Sequence, residues 1–146
     1  IIPPQYISAE AVVERSIIGE GSEIHGEVYN SVIGPGVVIK KGSVVRNSII
    51  MKQSFIGENV TIDKAIIAEN VTVGNNVVMG VGEDVPNKEK PSVYSFGLVT
   101  IGENSVIPAD VKIGINTAIV GETTPEDYPD GELASGETLN KEGETA

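Results

Sequence analysis

Residues 33–67 read IGPGVVIKKGSVVRNSIIMKQSFIGENVTIDKAII, and this stretch decides the fold. Its branched aliphatic residues return at intervals of 6, 6, 5, 6, 6 and 5 residues, at Ile33, Ile39, Val45, Ile50, Ile56, Ile62 and Ile67. A period near six fits neither an α-helix nor a lone alternating strand. It is typical of a repeat architecture in which each coil has three sides, here spanning the 17 positions from Ile33 to Ile50.

The same spacing extends outward in both directions. Isoleucine or valine continues it from residue 7 to residue 73, Met79 closes that series, and it resumes from residue 101 to residue 119. The five-residue side carries a repeated signature, a small residue followed by two β-branched residues, at residues 16–18, 31–33, 48–50 and 65–67. Between the aliphatic positions lie Gly and Asn, which tolerate the positive φ that a sharp corner requires.

These features predict an all-β fold, a parallel β-helix of hexapeptide repeats with about six coils and three sheets. Equivalent aliphatic residues of successive coils are expected to stack at roughly the 4.8 Å spacing of strands. Three columns follow: Ile18, Ile33, Ile50 and Ile67; Ile24, Ile39, Ile56 and Val73; and Val28, Val45, Ile62 and Met79. A β-sandwich of many short strands is the alternative, but it does not explain five-residue sides that recur in register.

Two segments interrupt the period. Residues 80–98 contain Pro86 and Pro91 and no inward spacing, so we expect a loop extruded from the coil. Residues 122–146 carry eight acidic residues against one lysine, which predicts a frayed, solvated acidic tail after a β-helix domain of residues 1–121. The chain begins with Ile1 rather than Met, and we interpret it as a segment whose N-terminal neighbour is absent.

Composition narrows the range of partners. A net charge of −11 argues against nucleic acid or an anionic membrane, because phosphates would be repelled. The absence of cysteine excludes disulfides and thiolate zinc sites and is compatible with a cytoplasmic protein. No run approaches the roughly 20 apolar residues that span a bilayer.

The single histidine, His25, tests the acyltransferase function that hexapeptide coils often have. One histidine cannot supply a three-histidine zinc site. A catalytic base would also need a carboxylate to orient it and a cleft for a coenzyme. Since His25 lies one residue past the inward Ile24 and between Glu23 and Glu27, we expect a solvated surface side chain.

One charge feature suggests a binding face. Lys40, Lys41, Arg46, Lys52 and Lys64 place half of the ten basic residues within 25 positions of an acidic chain. The coil predicts an outward ladder of Arg15, Asn30, Asn47 and Lys64, beside a second ladder of Glu14, Tyr29, Arg46 and Asp63. Arg15, Lys40, Lys41, Arg46 and Lys64 are therefore candidates for an anion, effector or interdomain face; a plain solvated surface is the alternative.

From residue 3 onward the chain resembles a specific family. The opening PPQYI at residues 3–7, VERSIIGEG at 13–21, VVRNSIIM at 44–51 and GLVTI at 97–101, followed by VIP at 106–108, resemble the C-terminal β-helix of bacterial glucose-1-phosphate adenylyltransferases. The resemblance covers residues 1 to about 120 and implies a left-handed coil.

The resemblance also implies a function. In the parent enzyme an N-terminal domain joins ATP and glucose 1-phosphate into ADP-glucose and pyrophosphate for glycogen synthesis, with Mg²⁺ and ATP bound there. This chain would be a non-catalytic regulatory and oligomerisation domain without a cofactor. It would pack on that N-terminal domain and form a homo-oligomer, expected to be a tetramer, or assemble with a second related subunit. A hexapeptide acyltransferase, a structural assembly protein and a related sugar nucleotidyltransferase remain alternatives.

One position departs from the family pattern. In sugar-phosphate-activated relatives a basic residue follows the GLVT-like strand, where it can meet an anionic effector. Here Glu103 follows that strand. An acid would repel a phosphate, so we expect weak or absent activation through this position.

Overall fold

The computed structural model describes residues 3–128 and 131–140, and in them the chain winds into coils of short parallel strands. In chain order the first four coils contain β1 (Tyr6–Ile7), β2 (Val12–Glu14) and β3 (Ile17–Ile18); β4 (Glu23–Ile24), β5 (Glu27–Tyr29) and β6 (Val32–Ile33); β7 (Val38–Ile39), β8 (Val44–Arg46) and β9 (Ile49–Ile50); and β10 (Phe55–Ile56), β11 (Thr61–Asp63) and β12 (Ala65–Ile67). The later coils contain β13 (Thr72–Val73), β14 (Val78–Met79) and β15 (Val99–Ile101); β16 (Val106–Ile107), β17 (Lys112–Ile113) and β18 (Thr117–Val120); and β19 (Glu132–Leu133) and β20 (Thr138–Asn140), preceded by a 3₁₀ turn at Pro125–Asp127. No helix in these ranges has the length and apolarity needed to cross a bilayer.

Equivalent strands of successive coils form three parallel sheets. Sheet 1 is β1-β4-β7-β10-β13-β16, sheet 2 is β2-β5-β8-β11-β14-β17-β19, and sheet 3 is β3-β6-β9-β12-β15-β18-β20. Corner 1 joins sheets 1 and 2 (residues 40–43 in the third coil), corner 2 joins sheets 2 and 3 (residues 47–48), and corner 3 joins sheets 3 and 1 (residues 51–54). The predicted all-β coil is confirmed, whereas its left-handed sense stays a prediction.

The predicted aliphatic columns form the core. Ile24 pairs with Ile39, Val28 with Val45, and Ile33 with Ile50, each in register. These side chains are 0–1% exposed, and their branched Cβ atoms suit the extended backbone of strands that have only two or three residues. The core is therefore a stack of aliphatic layers in which each coil contacts the one before and the one after.

Small residues at the corners complete the packing beside the columns. Ser43 is fully buried, yet its Oγ donates to the Gly57 carbonyl oxygen at 2.6 Å and accepts from the Val60 amide at 3.0 Å. The hydroxyl thus bridges two coils and leaves no unpaired polar group beside the aliphatic core.

The segment predicted as an extruded loop, residues 80–98, contains no strand and folds back over corner 2 of the last coils. Two buried asparagines hold it there. Asn87 Nδ2 donates to the Asn116 carbonyl oxygen at 2.9 Å and to Thr138 Oγ1 at 3.0 Å. Asn116 Nδ2 in turn donates to the Val85 carbonyl oxygen at 2.8 Å. The loop is therefore fixed to the coil by satisfied internal hydrogen bonds.

The frayed tail predicted from residue 122 is wrong for its described part. β19 pairs with β17 and β20 with β18, and Tyr128 is 5% exposed within the core. Leu133 and Leu139 pack against the same core. These strands add a seventh coil, with two strands, to the about six predicted. Each contributes one leucine to the interior, and the acidic composition of the segment obscured this. Residues 129, 130 and 141–146 of the predicted tail lie outside the described residues.

Candidate functional site

The structure divides the five candidate basic residues between two corners. Lys40 and Lys41 follow the sheet 1 strand β7 and lie at corner 1, whereas Arg15, Arg46 and Lys64 follow or end strands of sheet 2 and lie at corner 2. They therefore do not form one continuous face, and the two groups have different neighbours.

Corner 2 carries the predicted outward ladder. Arg15, Asn30, Asn47 and Lys64 have φ values of 48°, 51°, 52° and 54°, the left-handed conformation that asparagine tolerates better than most residues. Arg15 Nε donates to Asn30 Oδ1 at 3.1 Å, and Asn30 Nδ2 donates to Asn47 Oδ1 at 3.2 Å. Asn47 Nδ2 then donates to Asp63 Oδ1 at 3.1 Å. Arg15, Asn30 and Asn47 therefore form a hydrogen-bonded row along the coil axis, and its last bond goes to Asp63 rather than to Lys64.

The second predicted ladder is also present, and with Glu27 it places carboxylates beside the cations of corner 2. Glu14 pairs with Tyr29, and Arg46 pairs with both Tyr29 and Asp63. The Arg46 guanidinium lies 5.0 Å from the Tyr29 ring centroid. The Tyr29 hydroxyl donates to the Glu27 carboxylate, and this hydrogen bond raises the pKa of Tyr29. Three carboxylates thus accompany the three cations of corner 2, which favours a structural ladder over an anion site.

Corner 1 brings Lys40 and Lys41 close to His25. The imidazole is half-buried rather than fully solvated as predicted, with 32% of its side chain exposed and an edge-to-face contact with Tyr6 at 5.5 Å. Its Nε2 lies 3.8 Å from Glu23 Oε2. That separation is too long for a hydrogen bond, so Glu23 does not orient the ring as a catalytic base requires.

Neither a metal site nor a basic effector position is found in the described part of the chain. No three His, Asp or Glu side chains converge there to hold a metal ion. Glu103 is exposed at corner 3, where the Asn104 amide donates to the Glu69 carbonyl oxygen at 3.1 Å. Glu69 occupies the equivalent place one coil earlier and forms an ion pair with Lys52 at 3.9 Å. Two acids therefore follow one another along this corner.

The outer surface of sheet 3 carries an aliphatic stripe that the sequence interpretation missed. Ile17, Val32 and Ile49 pair in register and are 68%, 44% and 43% exposed. Ile66 continues the row half-buried. The stripe could have been found from the two consecutive β-branched residues of each five-residue side. Successive residues of a strand point to opposite faces, so two in a row cannot both enter the core. One aliphatic residue of each pair enters the core, and the other faces outward.

Known proteins resemble the chain along nearly its whole length. A family model described as GlmU-like, C-terminal hexapeptide matches residues 5–101. Glucose-1-phosphate adenylyltransferase of Lachnospira eligens is 59% identical over 143 residues, which is 98% of this chain and 34% of that protein. The protein of the same name from Thermotoga neapolitana is 56% identical over 136 residues, 93% of this chain and 32% of that one. The chain thus spans about a third of the length of these relatives.

One solved structure shares the fold. The acetyltransferase domain of PglB from Neisseria gonorrhoeae aligns with a TM-score of 0.55 and 21% identity, covering 91% of this chain and 55% of that one. At that identity the likeness concerns the coiled architecture alone.

Proposed function

The chain belongs to the family of GlmU-like, C-terminal hexapeptide domains, and we propose that it is the regulatory and oligomerisation domain of a glucose-1-phosphate adenylyltransferase. A second domain would join ATP and glucose 1-phosphate into ADP-glucose and pyrophosphate for glycogen synthesis, with Mg²⁺ and ATP bound there. The observation that carries the proposal is 59% identity to an enzyme of that name across 98% of this chain. The cytoplasm, where ATP is available, is the proposed location.

The aliphatic stripe of sheet 3 supports the scaffold role. An in-register row of exposed aliphatic side chains is costly to leave in water and marks a contact surface. We assign it to the catalytic domain of the same polypeptide, since the relatives have about twice as many residues outside the matched region as within it. The stripe begins in the first coil, at Ile17, and continues along the coil axis to Ile49 and Ile66.

The test is Ile49→Lys in the full-length protein. An ammonium group placed on a contact that excludes water is costly unless it finds a partner. We expect the affinity between the two domains to fall about tenfold or more, a change of at least 1.4 kcal/mol, seen as faster proteolysis between them. Release of pyrophosphate from ATP and glucose 1-phosphate measures the activity itself.

Val38→Lys is the matched control, because Val38 lies on the outer side of sheet 1 in the same coil. It should leave the domain contact intact. A lower oligomer mass in Ile49→Lys with unchanged proteolysis would assign the stripe to a second copy instead. Unchanged mass and unchanged proteolysis would contradict the scaffold contact, and absence of pyrophosphate release by the unmodified full-length protein would contradict the proposed enzyme.

A further inference from the structure

In the second coil, corner 1 is two residues shorter than in the coils on either side. Four residues, 8–11, join β1 to β2, and four residues, 40–43, join β7 to β8, but only His25 and Gly26 join β4 to β5. The strands on both sides of the corner nevertheless pair in register across all three coils. The shorter corner therefore leaves a notch in the outer surface and does not shift the strands.

Gly26 allows this short corner to form. A Cβ atom at Gly26 would clash with the carbonyl oxygen of Ser43, so only glycine lets the second coil lie this close to the third. The Glu27 amide donates to the same Ser43 oxygen at 2.8 Å, and the Val12 amide donates to the Gly26 oxygen at 3.2 Å. Backbone hydrogen bonds thus fix the floor of the notch.

The walls of the notch combine cations, an unpaired hydroxyl and an aromatic side chain. Its volume is about 400 Å³, and it is lined by Tyr6, Ser8, His25, Lys40, Lys41 and Glu58 among others. Within residues 3–128 and 131–140, neither Lys40 nor Lys41 forms a salt bridge, although the protein is strongly acidic. In the same ranges the Ser8 Oγ atom is buried and lacks a hydrogen-bond partner.

We propose that this notch binds a small phosphate monoester that carries hydroxyl groups. Two ammonium groups and a serine hydroxyl are donors suited to phosphate oxygens, and charge-assisted hydrogen bonds of this kind are the strong ones. Glu10 and Glu58, which line the same notch, are acceptors for hydroxyl groups. They also disfavour a second anionic group on the ligand. The ring of Tyr6, 50% exposed beside His25, offers a surface for the carbon skeleton.

Because the chain has one histidine, the ring resonances of its imidazole are assigned to the notch without ambiguity. Titration with glycerol 3-phosphate should shift the His25 ring resonances saturably at constant pH. Inorganic phosphate, which lacks the hydroxyl groups, should bind more weakly, and glycerol should leave the resonances unchanged. Equal affinity for inorganic phosphate and glycerol 3-phosphate would overturn the assignment of the hydroxyl contacts, and no shift with either would overturn the site.

Charge-removing variants locate the site. The double variant Lys40→Gln, Lys41→Gln should weaken glycerol 3-phosphate binding about tenfold or more. The pair Lys52→Gln, Lys112→Gln removes the same charge outside the notch and should change the affinity less than about twofold. Equal losses in both pairs would show a general charge effect and contradict the proposal.

An insertion tests the notch itself. Adding Glu-Asn between His25 and Gly26 gives a four-residue corner with the same two middle residues as Gly57-Glu58-Asn59-Val60 and fills the notch. With the circular dichroism of the parent protein retained, binding should be lost, and retained binding would overturn the proposal. If the insertion prevents folding, the two lysine pairs decide the question.

Discussion

At the scale of single residues, the corner ladders show what sequence register reveals. Four signatures align Arg15, Asn30, Asn47 and Lys64, and the asparagines alone indicate that this position needs positive φ. The structure gives all four nearly the same φ. Arg15 and Lys64 would not be expected there by residue type, because residues with longer side chains rarely adopt this conformation. Register therefore predicts the conformation where residue preference does not.

The same register separates the basic residues that composition grouped together. Lys40 and Lys41 follow the inward Ile39, whereas Arg46 follows the inward Val45 one side later. Counting sides along the sequence is enough to assign them to different corners. The hydrogen bonds that pair the corner 2 residues with carboxylates could not be predicted in this way, since they depend on side-chain rotamers.

Glu103 carries a residue-scale prediction about regulation, within the proposed function. In the full-length protein, fructose 1,6-bisphosphate should activate weakly or not at all through corner 3, because Glu103 and Glu69 place two carboxylates there. Glu103→Lys removes the repulsion and should strengthen activation, measured as the effector concentration for half-maximal rate. Strong activation of the unmodified protein that persists unchanged in Glu103→Lys would contradict this, as would activation that depends on Glu103.

At the scale of elements, the repeat period explains why the strands of the first six coils could be predicted and why β19 and β20 could not. Apart from the shorter corner of the second coil and the loop at residues 80–98, coils one to six repeat a period of about 17 residues, so each strand is supported by its equivalents. β19 and β20 lie in a segment with eight acidic residues, and each has a single leucine. An isolated leucine has no period, and only the pairing with β17 and β18 identifies these strands. The notch was visible in the four-residue spacing from Ile24 to Val28, but its lining was not.

Tyr128 offers a pH test of whether the last coil is packed. Burial raises the pKa of Tyr128 to about 12, whereas an unfolded tyrosine has a pKa of about 10. Between these values the unfolded state releases its phenolic proton and the folded state retains it, so the free energy of unfolding falls as pH rises. Below pH of about 10 the contribution is fully present.

Urea denaturation between pH of about 10 and 12 measures this effect. The protein should lose about 2 kcal/mol more than Tyr128→Phe over that interval, because the variant has no phenol to ionise. Tyr6→Phe, at a side chain that is 50% exposed, is the control and should follow the unmodified protein. Parallel curves for the protein and Tyr128→Phe would show that the last coil does not bury this residue.

At the scale of the whole molecule, the core is a stack of layers, and no single layer contacts every element. Each strand pairs only with the equivalent strands of adjacent coils. The free energy of such a solenoid is close to a sum of coil and interface terms. Interior coils bury their inward aliphatic residues completely, whereas in the first coil the inward Ile7 remains 42% exposed and Val13 and Ile18 are only partly buried. The first coil is consequently the least stable part of the paired stack.

Hydrogen exchange measures this gradient directly. The Tyr6 amide donates to the Ser22 oxygen at 2.7 Å, and the Val44 amide donates to the Val60 oxygen at 2.8 Å, so the two bonds are equally short. If bond length decided protection, both amides would exchange at the same rate. Because β1 is an edge strand and β8 lies inside the stack, we expect the Tyr6 amide to exchange about 100-fold faster. Equal rates would mean that the coils unfold as one cooperative unit. A rise in Tyr6 protection in the full-length protein would indicate that the first coil is stabilised by the domain that the stripe is proposed to contact.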